Sequence, residues 1–68
     1  AAFTAAWAEV VGAMIARHTT GLRLRNGILT LHVDSAPLRQ EMVYMRAEIQ
    51  ARLNERAGHE AVKEVVVR

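Results

Sequence analysis

The sequence predicts a small α+β domain of order α-β-β-α-β, a two-layer sandwich with two helices on one face of a three-stranded mixed sheet. Three observations carry this. Asn26-Gly27 sits between two runs of alternating character, amphipathic stretches flank that pair of runs, and a β-branched segment, Val62 to Val67, follows the second of them.

The first helix is expected from Ala2 to about Arg17. Phe3, Trp7, Val10, Val11, Met14 and Ile15 recur at the i, i+3, i+4, i+7 spacing of one buried face, and His18 continues that stripe. The opposite face carries Ala5, Ala8, Gly12, Ala13 and Ala16, with Glu9 as its only charge. A helix with so little polarity on any side is usually covered on more than one side. Ala8, Gly12 and Ala16 are therefore expected to form a protein interface.

Thr19-Thr20-Gly21 ends the helix and leads into a hairpin. Asn and Gly tolerate the positive φ that both central positions of a type I′ turn require. A two-residue turn sets the register: Arg25 faces Ile28, Leu24 faces Leu29, Arg23 faces Thr30 and Leu22 faces Leu31. Because side chains alternate along a strand, Leu22, Leu24, Leu29, Leu31 and Val33 share the face under the helices. Arg23, Arg25, Ile28, Thr30 and His32 share the open one.

Ser35 is expected to cap the second helix, with Pro37 in its first turn, where a missing N–H costs nothing. That helix runs from about Ala36 to Arg56, buries Leu38, Met42, Met45, Ile49 and Leu53, and stops at Gly58. Arg39 and Arg46, with Gln50, fall on one flank of the buried stripe; Glu41, Glu48 and Glu55, with Tyr44, fall on the other. The third strand then returns parallel to the second through a right-handed crossover. The expected sheet order is first, second, third. Val65 and Val67 should point inward, and Val62, Glu64 and Val66 outward.

The 68 residues suffice for one domain, residues 1–68, with no second one. The chain has no Cys, so neither disulfides nor thiolate–metal bonds can staple it. Net charge is +2, and all of the basic residues except Lys63 are Arg, the better bidentate ligand for phosphate and carboxylate. No apolar run approaches the roughly 20 residues of a membrane span. The start lacks the charged region of a signal peptide, and Trp7 and Glu9 interrupt it. The first residue is Ala where an initiator Met would stand, which points to a trimmed or processed chain. A cytoplasmic location is expected.

No catalytic constellation can be assembled. His18, His32 and His59 lie on separate elements without metal-ligand spacing. No Gly-rich phosphate loop is present, and no cofactor is implied. What remains is a basic surface. Arg39 and Arg46 form one rim, and Arg23, Arg25 and Lys63 from the sheet, or Arg17 beside the first helix, form the other. Clustered Arg is what phosphate binding needs. On the open face, Ile28 and Val66 beside arginines suit a macromolecular partner better than bare solvent. Tyr44 is the one aromatic expected to be exposed, which disfavours a base-stacking platform.

The run Trp7-Ala8-Glu9-Val10-Val11-Gly12, then Ala16-Arg17-His18-Thr19 and Leu24-Arg25-Asn26-Gly27-Ile28-Leu29, resembles the DciA-like family of bacteria. The resemblance continues through Val33-Asp34-Ser35-Ala36-Pro37-Leu38-Arg39-Gln40-Glu41-Met42, Leu53-Asn54-Glu55 and Val65-Val66-Val67-Arg68. It covers nearly the whole chain. It implies a fold like the type II KH domain and a role in DNA replication: binding the replicative helicase DnaB, helping to place it on DNA, and binding nucleic acid, DNA or RNA. The Gly-x-x-Gly loop by which KH domains grip RNA is missing, so that mode of binding does not carry over. Longer members carry a flexible extension; short ones usually have a helical segment before the tryptophan helix. Such a segment, or a second copy of the chain, is the expected cover for Ala8, Gly12 and Ala16.

Two functions follow as expectations. The first is a non-enzymatic adaptor with Arg23, Arg25, Arg39, Arg46 and Lys63 on phosphate, and Ala8, Gly12, Ala16, Ile28 and Val66 at protein interfaces. The alternative is a protein–protein or homodimerisation module with no nucleic-acid role.

Overall fold

A computed structural model describes the backbone of residues 2–68 and the side chains of residues 6–68. The elements run α1 (Ala2–Val11), α2 (Ala13–His18), β1 (Thr19–Arg25), β2 (Ile28–Val33), α3 (Ala36–Tyr44), α4 (Arg46–Ala57) and β3 (Glu64–Val67). Both expected helices are therefore divided, the first at Gly12 and the second at Met45.

The hairpin has the register that its turn dictates. Arg25 pairs with Ile28, Leu24 with Leu29, Arg23 with Thr30 and Leu22 with Leu31. Asn26 and Gly27 sit at φ +53° and +80°. The strand order is β1-β2-β3, with β3 parallel to β2 and Leu29 beside Val65. Leu29, Leu31, Val33 and Val65 point into the core, where they meet Trp7, Leu38, Met42, Ile49 and Leu53 from the helices. Leu24, one row from the turn on the outer strand, stays 39 % exposed.

The ends of α3 and α4 follow from local chemistry. The Ser35 hydroxyl accepts a hydrogen bond from Leu38 N at 3.4 Å, satisfying one of the N–H groups that a helix start leaves without an intrahelical partner. Gly58 closes α4 in the left-handed region at φ +79°.

Gly12 explains the first break. Its φ of +92° and ψ of 162° fall where essentially only glycine resides. The change of direction takes Met14 off the buried stripe and leaves it 57 % exposed, contrary to the periodicity. Phe3 lies outside the described side chains. Among the described residues nothing lies within 4 Å of a Cβ built on Gly12, so a substitution there acts through backbone strain. Gly12→Ala is expected to destabilise by about 1–3 kcal/mol, read by chemical denaturation. In a continuous helix the same change would stabilise by roughly 1 kcal/mol, so the sign of the effect decides whether the break exists.

Val62 departs from expectation as well. It precedes β3, is only 1 % exposed and belongs to the core. The cause is Asn54, whose amide grips both backbone groups of Val62: Nδ2 donates to Val62 O at 2.9 Å, and Oδ1 accepts from Val62 N at 2.7 Å. No helix among the described residues is long and apolar enough to cross a membrane.

Candidate nucleic-acid interface

The hairpin turn and the break between α3 and α4 together build a groove. On the sheet side, Gly27 O accepts from Lys63 N at 2.7 Å and from Glu64 N at 3.2 Å. This ties the residues entering β3 to the hairpin tip. The Lys63 side chain lies directly over Gly27, whose built Cβ would meet it at 3.0–3.3 Å. On the helix side, Met45 at φ −96° and ψ 7° joins α3 to α4. Tyr44 and Arg46 stand on either side of this junction, and Arg46 Nε donates to Val43 O at 3.1 Å. Between them lies a cleft of about 390 Å³, lined by Tyr44, Arg46, Gln50 and Lys63 over Val43 and Ala47.

Arg46 and Lys63 thus reach one groove from two sides, and neither is in an ion pair among the described residues. Glu64 is the one acidic residue of the lining; its pairing with Ile28 turns its side chain toward the open sheet face. Tyr44, 78 % exposed, stands at the rim, its hydroxyl held by Gln40 Nε2 at 3.3 Å. Two cations beside a planar ring can hold a phosphate and offer a stacking surface to an adjoining base. The break accounts for Tyr44. An unbroken helix would place it with Glu41 and Glu48, but the break at Met45 shifts the phase and sets it beside Arg46.

The remaining candidates lie elsewhere. Arg23 and Arg25 stand exposed on the open sheet face with Ile28 and Val66. Arg39 is half-buried: one guanidinium nitrogen donates to Val33 O at 2.9 Å and fastens α3 to the end of β2, while its buried Nε has no partner among the described residues. Ala8 and Ala16 line a cleft of about 310 Å³ with Thr20, Gly21 and Leu22 along the outer edge of β1. Gly12 is exposed at the kink. His18 closes α2, with Nδ1 2.8 Å from Asp34 Oδ1. Among the described residues no group of three or more His, Cys, Asp or Glu is placed to hold a metal ion.

A protein-family model described as "Dna[CI] antecedent, DciA" matches residues 1–67. No curated protein and no solved structure matches the chain.

Proposed function

The chain belongs to the DciA family, and from that premise we propose that it is a non-enzymatic adaptor that binds nucleic acid and a replicative helicase of the DnaB kind. Its task in this reading is to help set the helicase on DNA. The observation that carries the nucleic-acid half is the convergence of Arg46 and Lys63 on one groove beside Tyr44. The helix–helix junction, where an RNA-gripping KH domain has its glycine loop, here offers side-chain cations, so phosphate is held by charge and base identity matters little. Arg23 and Arg25 make a second basic patch on the open face, and Arg39 serves the fold.

A salt titration of a labelled oligonucleotide tests this. Each phosphate contact removed lowers the slope of log K against log salt by about 0.7 for a single strand or about 0.9 for a duplex. Arg46→Gln combined with Lys63→Gln is expected to lower it by about twice that, equally for unrelated sequences. Binding that is undetectable at low salt in the parent chain, or a slope unchanged in the double variant, would refute the proposal.

A protein-interaction module without a nucleic-acid role remains the second reading. It is favoured by Ala8 and Ala16, which line the cleft beside the outer edge of β1, because an unpaired strand edge is a template for another chain. Sedimentation over a wide concentration range tests its homodimeric form, which a monomer at all concentrations excludes.

A further inference from the structure

We propose that the open face of the sheet is a docking surface for an acidic amphipathic helix of a partner protein. The face is assembled row by row. Arg25, Ile28 and Glu64 lie side by side, as do Arg23, Thr30 and Val66. Arg68 extends the β3 ladder, with its N–H donating to Leu31 O at 2.8 Å and its carbonyl accepting from Val33 N at 3.0 Å. Alternation puts its side chain on the same face as that of Val66.

Unpaired charge on this face is mainly positive. Arg23, Arg25 and Arg68 take part in no ion pair among the described residues, whereas Arg52 pairs with Glu48 and Arg56 with Glu9 on the helical side. Glu64 faces this way beside Ile28, and alternation puts Asp34, just past β2, at the far end of the same face, where its carboxylate lies 2.8 Å from His18 Nδ1. Arg23 and Arg25 form a row along β1, and Arg68 stands just past the end of β3, about 10 Å across the sheet because adjacent strands are about 4.8 Å apart. Beside the β1 row runs an apolar trough made by Ile28, 41 % exposed, on β2 and Val66 on β3. A helix about 10–12 Å across fits that spacing. Its apolar stripe would rest on Ile28 and Val66, with acidic residues on the flank over β1 reaching Arg23 and Arg25 and one near its end reaching Arg68. Arginine around an apolar centre is also the composition that protein interfaces favour.

Nucleic acid fits this face less well. Among the described residues it carries no Phe, Tyr or Trp on which a base could stack, only the smaller imidazole of His32, and its apolar trough offers nothing to a phosphate. The groove at Tyr44 has what this face lacks, so the two surfaces sort two kinds of partner.

Selection from a random library of peptides about 16 residues long, roughly four helical turns, tests the assignment on the whole chain. The enriched sequences are expected to place Asp or Glu beside an apolar i, i+3, i+7 stripe. Amide shifts recorded with the leading peptide are expected to move at Arg23, Arg25, Ile28, Thr30 and Val66. Arg23→Glu with Arg25→Glu is expected to weaken that peptide about tenfold or more, with an unchanged thermal melt. Should that pair fail to fold, Ile28→Glu, which puts a like charge in the trough, is expected to do the same. Enriched peptides without acidic bias, peptides that map to the Tyr44–Lys63 groove or the Ala8–Ala16 cleft, or an oligonucleotide that moves the open-face amides where the peptide does not, would each overturn the assignment.

Discussion

Replacing Trp7 with Ala is expected to remove roughly half or more of the molecule's folding stability. Trp7 is 2 % exposed and sits in the core with the inward residues of the sheet and of α3 and α4. Its indole Nε1 donates to Thr19 Oγ1 at 3.1 Å, and that hydroxyl donates to Ile15 O at 2.7 Å. One side chain therefore joins α1 to the last turn of α2 and the first residue of β1. Truncating a buried Trp costs about 3–5 kcal/mol. At 0.05–0.15 kcal/mol per residue, a chain of 68 residues has roughly 3–10 kcal/mol of stability to lose. Trp7→Phe keeps most of the volume and forfeits the hydrogen bond, so a loss of about 1–2 kcal/mol is expected. Urea denaturation followed by far-UV circular dichroism reads both. A Trp7→Ala midpoint close to that of the parent would show that α1 contributes little to the core.

The sheet was legible from residues 22–31 because a two-residue turn leaves no freedom of register, and the register sorts leucines from arginines by strand alternation. The Ser35 cap, the Gly58 stop and the parallel third strand were legible for similarly local reasons. The helix breaks were not. Hydrophobic periodicity runs on through both Gly12 and Met45, Gly12 reads as one more small residue, and Met45 lies on the buried stripe. Tyr44 was misplaced for that reason. Val62 was misread because alternation was carried back before the strand begins, in a segment held by a distant side chain. Arg46 and Lys63 were both legible as candidate cations, but their sharing of one groove depends on contacts between the hairpin tip, the residues entering β3 and the helix junction. No local pattern encodes those contacts. Arg39 shows the converse: its place on a helix flank suggested solvent, yet its guanidinium spans to the Val33 carbonyl.

The groove and the core meet at Asn54, and Asn54→Ala is expected to damage both. The Asn54 amide satisfies the N–H and the C=O of Val62, which is 1 % exposed. Removing it orphans two buried backbone groups, a cost of about 2–4 kcal/mol. Asn54→Asp separates the two bonds. An ionised carboxyl still accepts from Val62 N, but it sets negative charge against Val62 O; once protonated, it can donate there. The introduced carboxyl then has a raised pKa in the folded state. Its stabilising share is present below the unfolded value of about 3.9 and lost as pH rises through the folded value. The deficit relative to the parent chain should therefore narrow as pH falls toward about 4, which denaturation at several pH values will show. Val62 also precedes Lys63, so the amide that holds Val62 in the core helps to aim Lys63 over Gly27 and into the groove. An uncharged substitution remote from any phosphate should then lower the salt slope of oligonucleotide binding by about 0.7–0.9, one contact's worth, under conditions where the variant remains folded. A slope equal to the parent's would mean that the bond from Lys63 N to Gly27 O positions this cation unaided, and that Asn54 serves stability only.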